Sequence, residues 1–141
     1  MLRALAIVWL AAAAPSMSAQ EVPALRTIDR GQHSNIDSSR QIVARTQAEW
    51  IALWKAHNFD RDVPPVDFSK EMVAAVFLGS RPTGGFEVAI TGAAVRDGVL
   101  VVTYRETPPP PGAITAQVLT SPYHIVAVAK RAGEVKFEKH P

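Results

Sequence analysis

The chain has 141 residues, a formal net charge of +2, 48% apolar residues and no cysteine. The missing cysteine excludes disulfides, thiolate catalysis and thiolate metal sites. Mixed charges without a basic run exclude an electrostatic nucleic-acid binder.

At the N-terminus, Arg3 precedes an apolar run from Ala4 to Ala14, and Pro15 leads into the small residues Ser16, Ser18 and Ala19. This is the order of a secretory signal peptide. The run is shorter than the roughly 20 residues that span a bilayer. Residues 1–19 are expected to be the signal peptide, 20–33 an extended leader and 34–141 a single domain. The expected location is the periplasm or the exterior, with no membrane span after cleavage. No cysteine follows the run to carry a lipid anchor.

A short strand is predicted near 40–45, around Ile42 and Val43. Thr46 and Glu49 have the spacing of a capping box, which satisfies free backbone donors at a helix start. Trp50, Leu53, Trp54 and His57 follow at helical spacing, so one helix face is apolar. Residues 59–71, with Pro64 and Pro65, read as a loop. The run Met72–Gly79 is short, apolar and rich in branched residues, the pattern of a buried strand.

Phe86, Val88 and Ile90 alternate with Glu87, Ala89 and Thr91, the period of a half-buried strand. Asp97-Gly98 suits a tight hairpin turn because both residues tolerate positive φ. Val99–Tyr104 is its partner strand. Pro108–Pro111 donate no backbone hydrogen bonds and should lie at the surface as polyproline II. Further strands are predicted at 114–119, 123–130 and 134–139.

One helix and about six strands with short connections predict an α+β fold, the amphipathic helix packed on a mainly antiparallel, sandwich-like β-meander. The predicted core is Trp50, Leu53, Trp54, Val73, Val76, Phe86, Val88, Ile90, Val102, Tyr104, Ile125 and Val128.

Of the four histidines, none forms a helical zinc pair with glutamate. Serine-nucleophile and phosphate-loop motifs are also missing. No cofactor or metal is expected. In an up-and-down meander, turns alternate between the two ends of the sheet. That parity puts loops 80–85, 107–113 and 130–133 at one end and Thr120–Pro122 at the other. The candidate binding residues are Arg81, Pro82, Thr83, Gly84, Gly85, Pro109, Pro110, Lys130 and Arg131. A basic rim of Arg81, Lys130 and Arg131 would select an acidic partner. The alternative is a hydrolase or small-ligand site near Tyr123 and His124.

Glu49–Asn58, Pro64–Thr91, Val101–Gly112 and Thr120–Lys130 together resemble the PrcB C-terminal domain family, named for a protein of a protease complex. The resemblance covers roughly 34–138. It implies an exported protein and supplies no catalytic residues; together with the missing motifs, the expected function is an exported non-enzymatic protein-binding module whose partner is an exported protein such as a protease. Pro82, Thr83 and Gly84 also resemble part of one loop of chagasin-type cysteine-protease inhibitors, whose other loop motifs are missing here.

Overall fold

The computed structural model describes residues 22–141; the predicted signal peptide lies outside them. Seven strands and one helix follow in the order β1 (Leu25–Gly31), β2 (Arg40–Ala44), α1 (Gln47–Asn58), β3 (Glu71–Phe77), β4 (Glu87–Arg96), β5 (Val99–Thr107), β6 (Tyr123–Ala129) and β7 (Val135–His140). They form two sheets, one of order β1-β6-β3-β2 and one of order β4-β5-β7. The pairings are antiparallel except β5 with β7, which run parallel. The chain is α+β, with α1 on one face of the four-stranded sheet and the three-stranded sheet on the other.

Strand β3 is the middle layer, and its sequence explains why. Every residue from Met72 to Phe77 is buried. Met72, Ala74, Val76 and Leu78 face the second sheet, where they meet Val88, Ile90, Leu100, Val102 and Tyr104. Val73, Ala75 and Phe77 face Trp50, Leu53 and Trp54 of α1. A strand covered on both faces loses the apolar–polar alternation of a half-buried one.

Helix α1 starts where the capping box predicts. Thr46 is extended, with φ −132°, and its hydroxyl accepts the Glu49 N–H. Two indoles then fasten the following loop: Trp50 Nε1 donates to Pro64 O and Trp54 Nε1 to Arg61 O, each at 2.9 Å. Buried indole N–H groups need such partners. Asp97 and Gly98 both take positive φ, 51° and 76°, closing the β4–β5 hairpin as its sequence predicts.

Four expectations are corrected. The leader expected ahead of the domain is part of it, because Leu25–Gly31 is β1 and pairs along β6. Residues 114–119 form no strand. They follow the proline run and Gly112, which has φ +79°, and Ile114 and Leu119 are 102% and 74% exposed, so no sheet face claims them. Removing one strand reverses the parity of every later turn. Thr120 therefore lies beside Arg81, while Gly133 lies beside the β4–β5 turn. Loops 80–85 and 130–133 are thus at opposite ends of β3. Of the predicted core, Phe86 alone is only half-buried; it sits in the loop before β4.

An apolar arm seated on a glycine loop

The loop after β3 is built around Arg81. Its guanidinium grips Glu106 at the end of β5, Nε to Oε2 at 2.7 Å and Nη2 to Oε1 at 2.9 Å. Nη1 donates to Leu78 O and Ser80 O. Lys139 Nζ adds a third contact to Glu106 at 3.0 Å. These hydrogen bonds, Arg81's foremost, hold the Glu106 carboxyl down at about 2. Arg81 is therefore an internal clamp and not a free docking charge, contrary to the basic-rim expectation. A bidentate arginine–carboxylate pair fixes orientation as well as charge.

The two glycines after it form a seat. Gly84 N–H donates to Ala116 O at 2.9 Å, and a Cβ at Gly84 would stand 3.4 Å from the Ala116 methyl. Gly85 has φ +88°, and a Cβ there would come within 2.9 Å of Pro109 Cβ and 3.1 Å of Thr115 Cγ2. Only glycine allows this approach at that backbone angle. Thr83 O accepts the Thr120 hydroxyl at 2.9 Å. Arg81 and Thr120 exchange two backbone hydrogen bonds, 2.7 and 2.9 Å. Pro110 O accepts the Ala113 N–H and closes the turn at the far side of the proline run. Pro82 is exposed and makes none of these contacts.

What the seat holds is an arm, residues 108–120. Its outward side chains are Ile114, Val118 and Leu119, at 102%, 51% and 74% exposure. From Thr107 to Pro122 there is no charged residue. Three large apolar side chains are exposed between Ile114 and Leu119 of one tethered loop, a feature that a partner could cover. None of the three was among the residues singled out from the sequence. The signal available there was the charge-free stretch itself, masked by reading 114–119 as a strand.

Lys130 and Arg131 stand elsewhere. Lys130 Nζ donates to Phe68 O at 2.7 Å and its N–H to Lys70 O. Arg45 binds the carbonyls of Arg131 and Gly133, each at 2.5 Å. This end is closed by internal hydrogen bonds, so the candidate set divides: Pro109 meets the 81–85 loop at Gly85, Pro110 follows it in the turn closed by Ala113, and Lys130 and Arg131 do not join them.

Tyr123 and His124 also separate, because successive residues of a strand face opposite ways. His124 lies between the sheets. Its Nδ1 accepts the Ile90 N–H at 2.8 Å where β4 shifts register, so Nε2 carries the proton and donates to Thr27 Oγ1 at 2.9 Å. Burial, with Arg30 nearby, pushes its pKa down to about 4. Tyr123 faces the helix side, where its hydroxyl donates to Asp29 Oδ2 at 3.0 Å. Burial and the Asp29 carboxylate push the phenol up to about 12.

Asp29 collects further partners. His57 Nε2 lies 3.1 Å and Arg61 Nη1 3.2 Å from the same oxygen. Burial would raise the Asp29 carboxyl, but hydrogen bonds from His57 and Tyr123, with the Arg61 charge, hold it below its ordinary value. His57 Nδ1 is 2.8 Å from Ser34 Oγ, which also accepts the Ile36 N–H. Ser34, His57 and Asp29 thus stand in the hydrogen-bonding order of a serine triad. The serine is 9% exposed and the histidine 1%. The group clasps β1, the end of α1 and β6, and the pair Tyr123/His124 forms no common site.

Residues 72–129 match the family model described as PrcB C-terminal. No curated protein and no solved structure matches the chain. The matched span holds the central strand, the glycine seat, the arm and β6, and it supports the resemblance to the PrcB C-terminal domain family.

Proposed function

We propose that this protein is an exported, non-enzymatic binding module that associates with a protease and modulates it, docking through the arm. The observation that carries the reading is the exposure of Ile114, Val118 and Leu119 on a segment fixed to a rigid seat. Rigid scaffolds present recognition residues on loops, and a loop already fixed in place loses little entropy on binding. The family name supports the protease as partner class. The charge, apolar run and small residues at the N-terminus support export to the periplasm or beyond. No helix among the described residues is long and apolar enough to cross a membrane.

The test is capture from the host's cell envelope with the protein as bait, alongside an Ile114→Asp/Leu119→Asp double variant. A protease retained by the parent and lost with the variant, at equal melting temperature, supports the reading. Equal retention by both removes the arm as the docking surface. Because the arm is uncharged, capture should change little between low and high salt.

A further inference from the structure

We infer that the arm occupies the substrate cleft of its partner, with Val118, at the bend of the loop, and Leu119 entering apolar pockets of an endopeptidase. The inference rests on the protein-binding reading above and deepens it. Three features of the arm carry it.

The first is suspension between two anchors. Gly84 holds Ala116 by its carbonyl, and Arg81 with Thr83 holds Thr120 by three hydrogen bonds. Gln117, Val118 and Leu119 bridge that gap, and Val118 and Leu119 point outward.

The second is free main chain. Ile114, Val118 and Leu119 make no backbone hydrogen bond to another described residue. Their N–H and C=O groups are left for main-chain pairing with a partner, a mode in which backbone hydrogen bonds hold the segment and pockets take its side chains.

The third is chemistry. Thr107–Pro122 has no lysine, arginine, aspartate or glutamate. The matching pockets are apolar, and an enzyme that requires a basic side chain has nothing to grip.

The two anchors also decide what cleavage would do. Hydrolysis of the Val118–Leu119 bond adds water across it, leaving a carboxylate on Val118 and an amine on Leu119. Both new ends stay tethered, one through Ala116 and the other through Thr120, so neither product diffuses away and the cleft stays filled. An unanchored peptide of the same sequence lacks that property.

The experiment measures inhibition of subtilisin- and chymotrypsin-type endopeptidases, which accept large apolar residues, against a small chromogenic substrate, with a trypsin-type enzyme as control. The expected result is competitive inhibition of at least one of the first two and none of the third. Leu119→Asp should raise the inhibition constant at least tenfold at an unchanged melting temperature. A linear peptide of residues 107–122 should be cleaved and inhibit at least 100-fold more weakly. Failure to inhibit either apolar-preferring enzyme overturns the inference, as does equal inhibition by Leu119→Asp. Binding is also measured to the same enzymes with the active-site serine sulfonylated. Undiminished, arm-dependent binding to the blocked enzymes leaves the protein-binding reading standing and removes occupation of the cleft.

Discussion

Arg81 and Glu106 lie 25 residues apart and meet through two parallel hydrogen bonds of 2.7 and 2.9 Å, tying the loop after β3 to the end of β5. Arg81→Ala leaves the partly buried Glu106 without its main partner and should cost about 2 kcal/mol. Arg81→Glu should cost more, since it places two carboxylates together. The carboxylate is depressed in the fold, so its stabilising contribution is complete above its ordinary 4.5 and is lost as pH falls through about 2. Chemical denaturation at pH 7 and pH 2.5 checks both points: the gap between parent and Arg81→Ala should narrow at the lower pH.

Gly85→Ala should loosen the arm. The substituted residue would hold φ +88° with its methyl 2.9 Å from Pro109 Cβ, a strained backbone and a steric clash together, costing about 1–3 kcal/mol. Gly84→Ala should be milder, because its contact with Ala116 is 3.4 Å. Limited proteolysis reads the difference: cleavage within 108–120 should accelerate markedly in the Gly85 variant and only slightly in the Gly84 variant.

His124 should make the fold acid-sensitive. Its pKa falls from 6.5 to about 4 in the fold, burial being the main cause, so the unfolded chain binds the proton first. The contribution of the neutral ring is complete above pH 6.5 and is lost as pH falls toward 4, by about 3 kcal/mol in all. His124→Gln should lower stability at pH 7 and flatten the slope of stability against pH near pH 5. A slope unchanged by the substitution would show that another group titrates there.

Trp54→Ala should cost about 3–5 kcal/mol, since the side chain is fully buried against the central sheet and its indole N–H holds Arg61 O. A melting temperature equal to the parent's would contradict that burial.

The helix and the central strand were legible in the sequence because their signals are local. Thr46 and Glu49 mark a start, and Trp50, Leu53, Trp54 and His57 fall on one face whatever lies opposite. Asp97-Gly98 likewise specifies its own turn. The arm was not legible. "ITAQVL" has strand-like composition, and only its missing neighbours, after four prolines, deny it a sheet. A strand at 114–119 would reverse the parity of the later turns and carry Lys130 and Arg131 to the opposite end. Long-range pairs such as Arg81 with Glu106, or Asp29 with Tyr123, leave no trace in spacing. The parallel β5–β7 pairing was hidden too, because a short link between β6 and β7 reads as a hairpin when it in fact crosses between sheets.

The strand order β1-β6-β3-β2 also sets a timetable for folding. β3 lies between β2, which has already emerged when it is made, and β6, which begins 46 residues after β3 ends and supplies its other edge. Until Ala129 has emerged, a chain released from its N-terminal end holds its most apolar segment with one edge open and nothing to close it. Pairings this distant in sequence form slowly and leave sticky surface exposed meanwhile. Truncation before β6 should therefore give an aggregating product instead of a smaller folded unit. The same order makes the last third of the chain, which includes the arm, the part that commits the whole molecule to its native state.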